Sequence, residues 1–253
     1  MGEKYLIIWY ECIDSTNNAA RKMLEDIDIM SVVAAGFQTA GRGQKGNVWA
    51  SEAGKNLTFS IAVRFGSGQF PALPAVRQFA VSEAAALAIV SFLSGKGIDA
   101  MIKWPNDIYV GDRKICGILI EQKVRGSMLD GSVIGIGLDV NQTDFPQELP
   151  NPVSMSLLTG KTYQLEESLE QIAGIFYKIL SDALVSESAL SALEDRYVSI
   201  LYRRDEHHRF IDCRSGEEFE GIIRGIDENA CLLVDRPDKG RQSFAFKEIS
   251  YVL

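Results

Sequence analysis

Histidine and cysteine are scarce in this chain of 253 residues, which has two of the first and four of the second. His207 and His208 are adjacent, and no two cysteines form a CxxC pair. The sequence therefore offers no spaced metal-ligand set, no histidine relay and no disulfide framework. We expect buried, reduced thiols, as in a cytoplasmic protein.

Long apolar runs and an excess of basic residues are also absent. The most apolar stretch, residues 84–93, is roughly half the length that a helix needs to cross a bilayer, and the amino terminus has no signal-peptide pattern. The 26 basic residues are outnumbered by 34 acidic ones, and the net charge of -8 repels a phosphate backbone. These features predict a cytoplasmic protein that binds neither a membrane nor DNA.

The length and composition of the chain, with hydrophobic residues at 46% and charged residues at 24%, predict a folded protein of two domains. We place the boundary near Arg203-Arg204-Asp205, which gives domains of residues 1–204 and 205–253. Hydrophobic spacing in the first domain predicts both helices and strands, whereas the second consists of short β-prone pieces. The predicted helices cover residues 17–27, 74–93, 166–184 and 189–201. The predicted strands cover residues 5–9, 31–37, 56–65, 101–104, 107–110, 114–124 and 132–140.

A glycine-bearing polar loop runs from Gln38 to Trp49 and contains Gly41-Arg42-Gly43 and Lys45. Glycines let the backbone approach an anion closely, and the cations supply countercharge for a phosphate. The pattern is neither a Walker loop nor a Rossmann turn, so a plain surface turn explains it equally well when it is taken alone.

The segment Lys103-Trp104-Pro105-Asn106-Asp107 interrupts an apolar strand with a cation, a bend, an amide and a carboxylate. Such a cluster at a strand end suits a ligand site. A proline turn with a tryptophan in the core explains the segment equally well. Lys114 follows at the start of the next predicted strand, where it projects either into a cleft or from an ordinary hairpin.

Five motifs in order resemble the biotin protein ligase family over about the first 200 residues. They are Asp14-Ser15-Thr16-Asn17, the Gly41-Arg42-Gly43 loop ending in Trp49, Lys103-Trp104-Pro105-Asn106-Asp107, Lys114 with Gly117-Ile118-Leu119, and Gly135-Ile136-Gly137-Leu138. The resemblance implies an α/β (α+β) fold, with a mixed-sheet catalytic domain of the biotin/lipoate ligase type and a small carboxy-terminal domain with an SH3-like barrel. It also implies a ligase that activates biotin with ATP, aided by Mg²⁺, and then biotinylates a lysine of a carboxylase's biotin carboxyl carrier domain.

Site residues follow from the same resemblance, with Lys114, Arg42 and Asp107 expected to be catalytic. The cations would meet the biotin carboxylate and the α-phosphate of ATP, and Asp107 would assist the acceptor lysine. The residues implied for biotin binding are Ser15, Thr16, Asn17, Gln38, Arg42, Gly43, Gln44, Lys114 and Gly117. Those implied for ATP binding are Arg42, Lys45, Asn47, Trp49, Asn106, Asp107, Lys114 and Asn141.

The chain departs from the family at Gln44 and Asn47, where arginine is common, and at Asp139, where asparagine is common. We expect no amino-terminal DNA-binding domain and hence no repressor function, and a homodimer is left open. Three other readings are a lipoate protein ligase, a biotin-binding module without catalysis, and a nucleic-acid binder. The acidic balance disfavours the last of these.

Overall fold

The computed structural model describes residues 4–41, 43, 49–66 and 69–252. Eight strands form the first sheet, five form the second, and five α-helices accompany them in the described ranges. The first eight strands are β1 Tyr5–Ile13, β2 Met30–Gln38, β3 Leu57–Arg64, β4 Leu73–Pro74, β5 Met101–Lys103, β6 Asp107–Val110, β7 Arg113–Arg125 and β8 Met128–Leu138. The other five are β9 His207–Asp212, β10 Glu217–Ile226, β11 Leu232–Arg236, β12 Gly240–Phe244 and β13 Ile249–Tyr251. The helices are α1 Thr16–Met23, α2 Phe79–Ser94, α3 Met155–Thr159, α4 Leu165–Ala183 and α5 Glu187–Ser199.

The first sheet is mixed, with the order β1-β2-β3-β8-β7-β6-β5 and with β4 paired to β8. The strands β1 and β2 are parallel, and the other neighbours are antiparallel. The strands from β5 to β8 form an antiparallel meander, and Gly111 and Gly126, both with positive φ, lie at the turns before and after β7. The α/β class and the mixed sheet are thereby confirmed.

The two faces of this sheet have different surroundings because side chains alternate along a strand. On β3, Leu57, Phe59 and Ile61 point into the main core, where they meet apolar side chains of α2, α4 and α5. The intervening Thr58 and Ser60 point to the opposite face and are buried as well. That opposite face carries α1, which packs through a smaller cluster that includes Ala20 and Leu24. The polar positions of the strands thus share one face with α1.

Helix α1 is shorter than predicted, ending at Met23 instead of residue 27. Backbone bonds from Leu24 to Arg21 and from Asp26 to Met23 replace the helical pattern there. Acidic residues follow at 25, 26 and 28, and negative charge is unfavourable near the carboxyl end of a helix dipole. The sequence pattern did not predict the short α3 or the two-residue β4.

The second sheet has the antiparallel order β12-β11-β10-β9-β13. Its contacts with the first part of the chain include Trp104 Nε1, which donates to the Ala230 carbonyl oxygen at 3.1 Å. The domain boundary and the SH3-like barrel remain predictions.

The segment Ala75–Ser94 is apolar enough and, at 20 residues, long enough to cross a membrane, unlike the shorter run that the sequence suggested. Most of it is buried inside the protein, as the core helix of a globular domain would be. All four cysteines are free, but only Cys116 is buried. Cys12 and Cys213 are exposed, so the expectation of buried thiols is wrong for them.

Candidate active site

A cleft of about 540 Å³, partly open to solvent, lies on the polar face of the mixed sheet. Its floor consists of strands β3, β7 and β8, and the start of α1 closes one end. The lining residues are Ser15, Thr16, Asn17, Gln38, Gly43, Trp49, Thr58, Phe59, Asp107, Lys114, Gly117, Ile118, Leu119, Gly135, Ile136 and Gly137. Every one of the five motifs found in the sequence contributes to this lining.

Lys114 and Asp107 form an ion pair at one part of the cleft, with 2.8 Å between Nζ and Oδ2. Their side chains are 30% and 31% exposed, so both charges remain accessible. Asp107 begins β6 and faces Gly117 of β7, whose missing side chain makes space for the side chains of Lys114 and Trp49. The backbone of Lys114 is fixed on its other side by bonds with Asn151 and Val153. A cation is thus held at a defined position next to a carboxylate.

Trp49 lies across the glycines of the cleft floor. A Cβ atom added at Gly117 would come 2.9 Å from Trp49 Cζ3, and one at Gly137 would overlap the indole. Lys114 Nζ lies 5.8 Å from the centre of a Trp49 ring. The indole Nε1 is buried and has no hydrogen-bond partner among the residues that the structure describes. These glycines are required for the close approach of the indole to the sheet.

The chain that carries Trp49 is anchored to the sheet on both sides of the glycine loop. Before the loop, Thr39 and Ala40 donate backbone hydrogen bonds to the carbonyls of residues 13 and 14. After it, the buried Asn56 donates to Gln142 Oε1 at 2.6 Å and accepts from Val140 N at 2.9 Å. Gln142 Oε1 also accepts from Glu52 N. The loop therefore starts and ends at fixed points beside the cleft.

The far end of the cleft is polar and internally hydrogen-bonded. Gln38 Oε1 accepts from the backbone N–H of Thr16 at 2.8 Å, and Ser60 Oγ lies 2.8 Å from Thr16 Oγ1. Ser60 also donates to Asn17 Oδ1 at 2.6 Å, and Asn17 Nδ2 donates to Glu121 at 3.2 Å. Ser60 and Glu121 were missed by the sequence reasoning. The one signal for Ser60 was its place in the alternating pattern of β3, and for Glu121 it was a carboxylate directly after the apolar run 118–120.

Ser15 precedes α1 as its N-cap residue, and its backbone is extended. Its hydroxyl makes no capping bond, although a serine at this position usually caps the helix. Ser15 is 2% exposed and lines the cleft, so its side chain belongs to the cleft and does not cap the helix.

Two predicted ATP residues do not line the cleft. Asn106 donates from Nδ2 to the Ile118 carbonyl oxygen, which ties the Trp104–Asp107 turn to β7. Asn141 donates to the Tyr163 carbonyl and accepts from the Tyr163 N–H, so its amide links two loops. Their roles toward ATP remain predictions. Arg42, Gln44, Lys45 and Asn47 lie outside the described residues.

Two charged groups near the cleft have shifted pKa values. Burial lowers the pKa of Lys103 to about 8, although Asp107 opposes the shift. Burial raises the pKa of Asp139 well above its usual range, and Lys114 opposes this. Asp139 Oδ1 is buried and has no hydrogen-bond partner in the described part of the chain. A neutral asparagine, common in the family at this position, would avoid that desolvation cost.

Comparisons with known proteins agree with this geometry. The chain is 32% identical over 181 residues to the bifunctional ligase/repressor BirA of Bacillus subtilis, a match that covers 70% of this chain and 54% of that protein. It is 29% identical over 243 residues to the biotin–[acetyl-CoA-carboxylase] ligase of Paracoccus denitrificans, covering 94% and 97% of the two chains. The chain thus spans about half the length of the first relative and nearly all of the second.

Among solved structures, the biotin protein ligase from Aquifex aeolicus in complex with biotin and ATP superposes with a TM-score of 0.75 at 23% identity. That match covers 96% of this chain and 97% of the other, and it shows a common fold. The sequence model of the biotin/lipoate A/B protein ligase family matches residues 9–139, slightly more than half of the chain, and includes every motif that lines the cleft. The chain therefore belongs to the biotin/lipoate A/B protein ligase family.

Proposed function

We propose that this protein is a biotin protein ligase, which uses ATP to form biotinyl-5'-AMP and transfers the biotinyl group to a lysine of a biotin carboxyl carrier domain. In the first step the biotin carboxylate attacks the α-phosphorus of ATP and pyrophosphate leaves. In the second step the lysine amine attacks the acyl carbon and AMP leaves.

The observation that carries this proposal is the arrangement of one cleft with two chemically different parts. Amide and hydroxyl groups of Gln38, Thr16 and Ser15 meet at one end, and these groups suit the donors and acceptors of a ureido ring. The Lys114–Asp107 pair lies at the other part, where a fixed cation stabilises charge on a phosphate. A biotin carboxylate reaching Lys114 would bring the two reactants together.

Asp107 suits the transfer step. Once a phosphate draws Lys114 away, the Asp107 carboxylate can accept a hydrogen bond or a proton from the incoming lysine amine. Trp49, which covers the glycine floor, would shield the adenylate from water.

Mg²⁺ is proposed to accompany ATP. No group of three or more histidine, cysteine, aspartate or glutamate side chains that could hold a metal ion occurs within the described ranges. Magnesium commonly keeps several waters and binds substrate phosphates with only one or two carboxylates. Asp107 is the cleft carboxylate that could contribute, and phosphate oxygens would supply the other non-water ligands.

The test is incubation of the full chain with ATP, Mg²⁺, biotin and a biotin carboxyl carrier domain, followed by intact mass of the carrier. We expect the mass to rise by one biotinyl group only when all components are present. A parallel reaction with lipoate distinguishes the related ligase activity, because a dithiolane ring cannot use the polar end of the cleft. Lipoylation without biotinylation would assign the chain to the lipoate branch of its family. Binding of biotin without formation of any product would support the alternative interpretation of the chain as a biotin-binding module without catalysis.

We also propose a cytoplasmic location, supported by the four unpaired cysteines. Fractionation of cells that express the chain would test this location. Detection of the protein in the membrane or secreted fraction would contradict it.

A further inference from the structure

We propose that the second sheet supports the transfer step by fixing the turn that carries Asp107, and that Trp104 is the positioning residue through which it does so. Trp104 does not line the cleft, so it acts through its neighbours in the turn. The inference rests on the proposed function, in which Asp107 receives the lysine amine of the carrier.

Two loops of the second sheet contact the indole of Trp104. The indole Nε1 donates to the carbonyl oxygen of Ala230, in the turn between β10 and β11, at 3.1 Å. The ring also packs edge to face with Phe246, which lies between β12 and β13, with 6.3 Å between the ring centroids and 71° between the planes. Trp104 is 6% exposed, so the second sheet encloses a side chain that belongs to the first.

The carbonyl group that accepts from Trp104 is itself held in place. Ala230 has a φ of 60°, in the left-handed region, and its N–H donates to the Asp227 carbonyl oxygen at 2.8 Å. The Asp227 carboxylate accepts from the backbone N–H groups of Asn229 at 2.9 Å and Cys231 at 3.0 Å. A non-glycine residue keeps such a backbone conformation only where the surrounding structure determines it. The second sheet therefore offers Trp104 a fixed acceptor.

The neighbours of Trp104 in the turn are anchored as well. The Lys103 ammonium lies 5.0 Å from the centre of the Tyr251 ring, on β13 of the second sheet. The Pro105 carbonyl oxygen accepts from the Tyr197 hydroxyl of α5 at 2.7 Å. Asn106 is tied to β7 by the side-chain bond described above. Each residue from 103 to 106 thus has a partner outside the turn, and the partners of residues 103 and 104 belong to the second sheet.

The Asp107 carboxylate differs from these residues. In the part of the chain that the structure describes, Lys114 is its only ion-pair or hydrogen-bond partner. Once a phosphate draws Lys114 away, the position of the carboxylate depends on the turn and on the backbone pairing of β6. Lys114 instead has backbone bonds with Asn151 and Val153, neither of which belongs to the second sheet. The second sheet should therefore affect transfer, which uses Asp107, more than adenylation, which uses Lys114.

Replacing Phe246 by alanine loosens this contact from the side of the second sheet. Phe246 is 45% exposed, so its loss should leave the fold intact. We expect transfer from supplied biotinyl-5'-AMP to a saturating carrier domain to slow by about three- to tenfold, less than the roughly hundredfold that a displacement of about 1 Å can cause. Biotin-dependent pyrophosphate exchange should keep the wild-type rate. Trp104→Phe, which removes the N–H donor and keeps a ring, should give the same pattern.

Leu6→Ala is the matched control for Phe246→Ala. Leu6 is 42% exposed and lies on β1, at the opposite edge of the mixed sheet from β5. Both rates and the thermal midpoint should equal those of wild type in this variant. Equal slowing of transfer and exchange in Phe246→Ala would indicate a general structural loss and overturn the inference. A raised KM for the carrier with an unchanged maximal rate would also overturn it, because Phe246 would then be a contact for the carrier.

A double-mutant cycle with Asp107→Asn tests the route of the effect. If the second sheet acts through Asp107, Phe246→Ala should cause no further slowing of transfer in the Asp107→Asn background. The same factor of slowing in both backgrounds, or wild-type transfer in Phe246→Ala, would overturn the inference and leave the ligase proposal intact. Failure of the wild type to form the adenylate and to biotinylate the carrier would overturn both.

Discussion

Replacing Lys114 by methionine tests the charge that the proposed adenylation step needs most. Methionine keeps an unbranched side chain beside Trp49 and removes the ammonium group. The partner carboxylate of Asp107, now 2.8 Å from Lys114 Nζ, would be left without its cation and would repel an incoming phosphate. The loss of the ammonium group and the unpaired carboxylate both destabilise the transition state of adenylation.

The magnitude follows from Coulomb's law and the exposure of the pair. Two unit charges about 4 Å apart interact by about 4 kcal/mol at an effective dielectric constant of about 20. Because the Lys114 side chain is 30% exposed, solvent screening reduces this to about 2 to 3 kcal/mol. Each 1.4 kcal/mol is about a factor of ten in rate, so we expect adenylation to slow by about 30- to 150-fold.

The assay is biotin-dependent exchange of labelled pyrophosphate into ATP, which reports the first step alone. Lys123→Met is the matched control, because Lys123 lies on the same strand and pairs with the exposed Glu25 at 2.6 Å. Its exchange rate should equal that of wild type. An unchanged rate in Lys114→Met, or the same loss in both variants, would refute the role assigned to Lys114.

Three further predictions concern other parts of the molecule. The pKa of Glu83 is raised to about 8 because its carboxyl is buried and faces Glu194, so its contribution to folding is full below about pH 4.5 and is lost as the pH rises through 8. Glu83→Gln should flatten that fall and raise the free energy of unfolding at pH 9 by about 2 to 4 kcal/mol, measured by urea denaturation at several pH values. Gly137→Ala should displace the Trp49 indole, which would change its fluorescence and raise the KM for ATP several-fold, whereas wild-type values would mean that the indole moves freely. Gln44→Arg should slow release of the adenylate by about tenfold, and equal or faster release would show that other groups retain it.

Strand β3 could be predicted because its hydrophobic and polar residues alternate with a period of two. In β3, Thr58 and Ser60 alternate with Leu57, Phe59 and Ile61, and this pattern shows a strand with two different faces. The sequence could not show that both faces are buried, one by helices and one by the cleft. That distinction depends on what packs on each face, which is a property of the tertiary structure.

The candidate site was predictable where its residues form local motifs. Lys114, Asp107 and Trp49 meet in the cleft as the motifs implied. The Asn17–Glu121 bond was not predictable, because its partners are 104 positions apart and meet only through strand register and the placement of α1. Asn141 is a different case, because the family resemblance implied a nucleotide contact and the structure shows its amide bonded to the Tyr163 backbone, while its role toward ATP stays a prediction.

Residues along β8 point alternately to the core and to the cleft, so neighbouring positions affect stability and ligand binding separately. Ile134, Ile136 and Leu138 point into the main core, so truncating any of them to alanine creates a cavity that costs about 2 to 5 kcal/mol. Gly135 and Gly137 point the other way, under Asn17 and Trp49, where an added methyl group creates no cavity but displaces a cleft side chain. Neighbouring substitutions on this one strand therefore act on different properties. A change at residue 134, which does not line the cleft, should lower the thermal midpoint and leave the substrate preference intact, whereas a change at 135 should alter ligand affinity in a protein that still folds.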